Sequence, residues 1–178
     1  MLPSRGAKWP ECINVAAIHA YIGADVFHVE QAFSYHPATK QAQFLSAKDR
    51  DYKAQPGLVY GTADLVIERA SGLEVWDHKT GADVGDPKAN WQMRTLGMLA
   101  ARAYCTSQVL VGVFYIDKVG DVFADERSGI IGADVIEETE AVIAASLASD
   151  EIVPSVDACR WCPGKTNCIE AMTKEARR

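Results

Sequence analysis

The chain has 178 residues, 48% hydrophobic and 24% charged, the composition of one ordinary globular domain with a sizeable core. Its formal net charge of −6 excludes a surface coated in basic residues, so any contact with nucleic acid has to be local. No apolar run is long enough to span a membrane, and Met1 to Pro10 lack the apolar core of a signal peptide, which makes an intracellular, cytoplasmic setting without a membrane partner the expectation.

Taken in chain order, Trp9 to Tyr21 carries apolar residues at Ile13, Ala16, Ala17, Ala20 and Tyr21, a helical spacing. The pattern turns β-like from His28 to Tyr35, and after a turn at His36-Pro37-Ala38-Thr39 a partner strand over Gln41 to Leu45 makes a hairpin. Ser46 to Gly57 reads as a polar loop. Two strands follow, Leu58 to Arg69 and Leu73 to Lys79, separated by Ala70-Ser71-Gly72. Thr80 to Ala89 is a loop, and Asn90 caps a helix through Tyr104 that buries Leu96, Leu99, Ala100 and Ala103. Val109 to Asp117 is a nearly continuous apolar strand of the kind buried on both faces. A turn at Lys118-Val119-Gly120-Asp121 leads to a short edge strand, Val122 to Ala124, and Asp134 with Glu137 resembles a capping box opening a helix through Leu147. Pro154 introduces a cysteine-rich tail. This order predicts an α/β (α+β) fold: a central mixed β-sheet flanked by helices.

The two strands around Ala70-Ser71-Gly72 hold the most informative chemistry. Side chains two apart on a strand share a face, so Asp77 and Lys79 project together. A turn centred between Ser71 and Gly72 sets Asp64 opposite Lys79 and Val66 opposite Asp77, bringing two acids and one lysine to one side of the sheet. Mg²⁺ or Mn²⁺ takes oxygen ligands, and two carboxylates with a backbone carbonyl suffice. Such an ion polarises a phosphodiester and acidifies a water, while an ammonium stabilises the charge that builds at phosphorus. The opposite face, with Leu65, Ile67 and Trp76, suits a core. A one-residue slip would set Asp64 against His78 instead. The plain alternative is that Asp64, Asp77 and Lys79 are solvated residues on the wet face of a hairpin.

Gly61-Thr62-Ala63-Asp64 and Asp77-His78-Lys79-Thr80-Gly81 resemble the paired signature of the RecB-like branch of the PD-(D/E)xK nucleases: G-x-x-D, a strand-turn-strand gap, then (D/E)-x-K. The resemblance implies a restriction-endonuclease-like core and a metal-dependent DNA nuclease, with Asp64, Asp77 and Lys79 as its catalytic centre. It extends to Gln92, matching a glutamine early in the helix after the lysine strand; where the branch often has a tyrosine four residues later, Leu96 stands. It also implies His19 of the first helix as a metal ligand, with His28 as its competitor, and Glu30 as an acidic residue of the first strand that joins the catalytic set. The metal set is then Asp64, Asp77, His78 and His19.

Of the five cysteines, Cys159, Cys162 and Cys168 form a C-x2-C-x5-C run, and an odd total is a poor disulfide framework. Thiolates at this spacing suit Zn²⁺ or an iron–sulfur cluster, both normally four-coordinate, and Cys12 is the natural fourth ligand. The layout resembles the iron–sulfur nucleases of the same branch, including the AddB type and the CRISPR-adaptation nucleases. That implies a 4Fe–4S cluster on Cys12, Cys159, Cys162 and Cys168, with zinc as the alternative. Only six residues separate Cys12 from His19, fewer than the helical insertion common in the family, so either the first helical region is minimal or one of the two assignments fails, His19 before Cys12. Cys105 is expected to be an ordinary buried thiol.

DNA, single-stranded or at its ends, is the expected partner, with room for a partner helicase or a recombination or CRISPR protein. Lys48, Arg50 and Lys53 are the expected backbone contacts, Tyr52 is placed to stack on a base, and Arg94 and Arg102 follow as second choices. The expected organisation is one nuclease domain over 1–178: a helical segment at 1–24, a catalytic core at 25–150 and a cysteine tail at 151–178. The rival reading is a non-catalytic nuclease-fold module that binds DNA or a protein, with a structural zinc or cluster site.

Overall fold

A computed structural model of the protein describes residues 26–46, 52–79, 85–116 and 122–149. The chain divides into two compact units, Met1–Ser146 and Leu147–Arg178. Among the described residues the elements are β1 (Val26–His36), β2 (Gln41–Leu45), β3 (Val59–Arg69), β4 (Gly72–Lys79), α1 (Trp91–Ala103), β5 (Val109–Ile116), β6 (Val122–Ile131) and α2 (Ala133–Ala148). The strands form one six-stranded sheet in the order β2-β1-β3-β4-β5-β6. Only β4 and β5 are parallel; every other neighbouring pair is antiparallel, so the sheet is mixed. Parallel neighbours need a crossover connection, and α1 provides it. No helix among the described residues is long and apolar enough to cross a membrane.

Local sequence explains most of these elements. Asn90 is extended and its side chain accepts the Met93 N–H at 3.2 Å, which satisfies one of the unpaired donors that open α1. Met93, Leu96, Leu99 and Ala100 fall on the buried side of that helix. Val109, Val111, Val113 and Phe114 are all buried, as a strand covered on both faces requires. Alternate residues of the central strands enter two different clusters. Val66, Val75 and Val113 pack with Met93, Leu96 and Leu99 of α1, whereas Leu65, Ile67, Trp76 and Phe114 pack together separately.

Three expectations are corrected. The β3–β4 turn closes on Arg69↔Gly72, around Ala70 and Ser71, so the pairing is displaced by two positions and runs up to Leu65↔Trp76. A two-residue shift leaves the paired side chains from Leu65 to Arg69 on their predicted faces, and extending its register one step past the last pair would set Asp64 against Asp77 rather than Lys79. β6 continues to Ile131 instead of stopping at Ala124, because ladder pairing to β5 on one side sustains a polar edge strand that composition alone reads as loop. Helix α2 begins at Ala133, which puts Asp134 inside its first turn, where a negative charge favours the helix dipole, and not at a capping position. The predicted helix over Trp9 to Tyr21 lies outside the described residues.

Candidate active site

Asp64 sits at a break in the sheet. Register between β1 and β3 passes from Val29↔Leu65 to Gln31↔Ala63, skipping Glu30 and Asp64, and Glu30 has a left-handed φ of 52°. The face alternation of β3 changes there too: Ala63 and Val66 belong to the α1-side cluster, while Leu65 belongs to the other. On the opposite edge, pairing with β4 ends at Leu65↔Trp76. Where the next rung would be, the Asp64 carboxylate takes the place of a backbone acceptor: His78 N–H donates to Asp64 Oδ2 at 2.8 Å.

Asp77, Lys79 and Gln92 form a closed triangle beside it. Lys79 Nζ lies 2.8 Å from Asp77 Oδ2 and donates to Gln92 Oε1 at 2.8 Å, while Gln92 Nε2 donates to Asp77 Oδ1 at 2.8 Å. Gln92 is the second residue of α1, so the Asn90 cap that fixes the start of the helix also fixes its reach. Asp77 is 4% exposed, and burial pushes its carboxyl above the ordinary range; the Lys79 hydrogen bond pulls against this and the charge of Asp64 adds to it. Lys79 compensates the charge on Asp77 Oδ2, yet that buried oxygen has no well-aligned hydrogen-bond donor. It is an acceptor with spare capacity at the centre of the site.

A family model described as the PD-(D/E)XK nuclease superfamily matches residues 6–169 of the chain. The chain belongs to the PD-(D/E)XK nuclease superfamily. Its six-stranded mixed sheet with two helices is the α+β, restriction-endonuclease-like architecture of that superfamily. No curated protein matches the chain. A solved structure titled "Crystal structure of SSO0001" is similar at 14% identity, over 88% of this chain and 67% of that one, with a TM-score of 0.46.

Superfamily members are typically nucleases or phosphodiesterases and usually use Mg²⁺ or Mn²⁺. The donor set fits a hard cation: two carboxylates from adjacent strands, one carrying a buried oxygen without an aligned donor. Among the described residues no group of three or more His, Cys, Asp or Glu side chains is placed to hold a metal, so the fit rests on Asp64, Asp77 and backbone oxygen.

The remaining expected residues divide clearly. The ring of His78 points away from Asp77, as alternation along β4 demands, and stacks on Phe114 at 5.7 Å with Nδ1 3.6 Å from Asp64 Oδ2. Its ring, expected as a metal ligand, thus lies beside Asp64. His28 pairs with Glu68 Oε1 at 2.8 Å. Glu30 is exposed, at the position aligned with Asp64 across β1 and β3. Tyr52 stacks on Tyr60 at 5.4 Å and its hydroxyl bonds Thr62 Oγ1, and Lys53 is exposed.

Arg94 and Arg102 are corrected from DNA contacts to packing residues. Arg94 is 9% exposed and its guanidinium is tied to α2, donating to Glu138 Oε2 at 2.5 Å and Thr139 Oγ1 at 3.2 Å. Arg102 donates to both oxygens of Glu140, at 2.6 and 2.8 Å. Cys105 is an exposed free thiol rather than a buried one, because α1 ends at Ala103 and the chain turns outward at a left-handed φ of 54°. Cys12, His19, Lys48, Arg50, Cys159, Cys162 and Cys168 lie outside the described residues. Sequence reading missed Trp91, an exposed aromatic beside Gln92; its place immediately after the predicted cap was the available signal.

Proposed function

We propose that the chain is a metal-dependent DNA nuclease of the RecB-like branch, acting as an exonuclease on single strands or DNA ends inside the cell. Its catalytic set is Asp64, Asp77, Lys79, Gln92 and Glu30, and the nuclease domain extends over residues 1–178. The observation that carries this reading is the triangle of Asp77, Lys79 and Gln92, closed by three 2.8 Å contacts next to the carboxylate of Asp64.

Asp64 and Asp77 would hold Mg²⁺ or Mn²⁺ through their oxygens, with a backbone carbonyl and His19 as further ligands. Bound there, such an ion would supply Lewis acidity to a phosphodiester and lower the pKa of a water. Lys79 orients that water and stabilises the negative charge that grows on the phosphoryl oxygens. Gln92 is a positioning residue that fixes the separation of Asp77 and Lys79 through one amide. Lys48, Arg50 and Lys53 hold the DNA backbone and Tyr52 stacks on a base.

The tail cysteines Cys159, Cys162 and Cys168, with Cys12, are the ligands of a 4Fe–4S cluster in this reading; thiolate donors of this number and spacing also suit zinc. Anaerobically purified protein is expected to be brown and to carry iron, whereas a colourless protein with stoichiometric zinc would assign the site to zinc.

The nuclease reading is tested by incubating single- and double-stranded DNA with the protein, with and without Mn²⁺. Metal-dependent cleavage is expected, abolished by Asp77→Ala and by Lys79→Ala while circular dichroism stays native. Full activity in either well-folded variant removes the assignment, and binding of DNA without any cleavage would make the chain a binding module.

A further inference from the structure

Immediately beside Gln92, the chain places an aromatic side chain that the catalytic reading leaves unused. Trp91, the first residue of α1, is 49% exposed. One face of its indole is covered by the Arg94 guanidinium, 4.4 Å from the ring centroid. Arg94 is itself held by Glu138, Thr139 and the Val135 carbonyl of α2, so the cation under the ring is fixed in place. A cleft of about 590 Å³ opens here, lined by Gly85, Asp86, Ala89, Asn90, Trp91 and Gln92. Among the described lining residues, the acid Asp86 is engaged locally, accepting the Lys88 N–H at 2.9 Å with Lys88 Nζ 4.0 Å away.

We infer that this cleft is a nucleobase subsite, in which an unpaired base of a single-stranded or frayed DNA end stacks on Trp91. The inference rests on the nuclease reading and adds to it the residue that holds an unpaired base. A half-exposed indole backed by a fixed cation presents a flat, polarisable surface to any base, without hydrogen-bond readout. Trp91 adjoins Gln92, whose amide touches both Asp77 and Lys79, so a base held there belongs to a nucleotide near the scissile phosphate. A base inside a duplex is stacked and paired on its neighbours and has no free face to offer, so the subsite favours unpaired ends.

The test is a binding cycle on the full chain carrying Asp77→Asn, which prevents cleavage. A short fluorescent single strand is titrated with Mg²⁺ present, and one abasic residue is moved along it position by position. At one position, loss of the base is expected to weaken binding about tenfold or more when residue 91 is unchanged. Trp91→Phe keeps most of that sensitivity. Trp91→Leu binds the intact strand about tenfold more weakly and is indifferent to the abasic site. A structural role for Trp91 would not produce this coupling to one base. Equal abasic penalties in the Trp91 and Trp91→Leu chains overturn the subsite, as does failure to bind single strands at all. Cleavage by the unmodified chain is scored separately: cleavage without the coupling removes the subsite alone, and coupling without cleavage removes the nuclease reading alone.

Discussion

Glu30 and Asp64 occupy aligned positions in strands that otherwise pair regularly, and the ladder skips the rung between them. A left-handed φ of 52° at Glu30 costs roughly 1–2 kcal/mol for an L-residue, and such local strain concentrates at functional sites. On the other edge of β3, where pairing with β4 has ended, Asp64 accepts the His78 N–H. A second single-residue constraint lies behind the site. Gly112 is the β5 partner of Trp76, and a Cβ on it would meet three indole atoms at 2.2 to 2.7 Å. Trp76 in turn stacks on Phe114 at 4.1 Å, and the next residue is Asp77. Gly112→Ala is therefore expected to lower stability by about 2 kcal/mol through overpacking. Urea titration would read this as a lower midpoint at unchanged slope; a midpoint equal to that of the parent chain would contradict the close approach.

Among the elements, α1 does two jobs at its two ends. Its first turn sets Gln92 against Asp77 and Lys79, and its last turn holds α2 through Arg102 and Glu140. Midway, Gly97 allows contact with the sheet, since a Cβ there would stand 2.6 Å from Ile131 Cδ1 and 2.7 Å from Val111 Cγ1. Glu140 is 3% exposed and also accepts from Tyr35 Oη at 3.0 Å, with Lys40 Nζ at 3.2 Å. Burial alone would raise its carboxyl, but the bonds from Arg102, Tyr35 and Lys40 outweigh it and hold the group below the usual glutamate range. A folded-state pKa below the unfolded one gives stability that is present above the unfolded value and lost as pH falls through the folded one. Glu140→Gln is expected to cost about 3 kcal/mol near neutral pH, because it leaves Arg102 half-buried without its partner. The gap between variant and parent should close as pH drops below the ordinary carboxylate range. Thermal melts across a pH series would show it, and a gap independent of pH would exclude the ion-pair account.

For the molecule as a whole, the superfamily match at residues 6–169 takes in the sheet and the cysteine run alike. Two buried or half-buried acids at the centre of a fold weaken it unless something compensates their charge, and Lys79 does so for Asp77. A divalent cation bound only by the folded chain adds stability by mass action, about 2.7 kcal/mol at a hundredfold excess over its dissociation constant. Mn²⁺ is accordingly expected to raise the melting temperature of the parent chain and to leave that of Asp77→Ala nearly unchanged. An equal response in both would place the ion elsewhere.

The sequence by itself determined the features that depend on a residue and its near neighbours. Alternation along β3 and β4 put Leu65, Ile67 and Trp76 on one face with Asp77 and Lys79 on the other, and Asn90 announced the start of α1, hence the place of Gln92. Tertiary structure alone decided what depends on partners distant in the chain. The register that ends on Leu65↔Trp76, next to Asp64 and Asp77, follows from the hairpin closing around Ala70 and Ser71, and no periodicity distinguishes it from one shifted by two. Arg94 and Arg102 look like free surface charges until α2 brings Glu138 and Glu140 against them. Local preference is written in short-range sterics and capping, whereas the pairing of charges across elements is set by how the core packs.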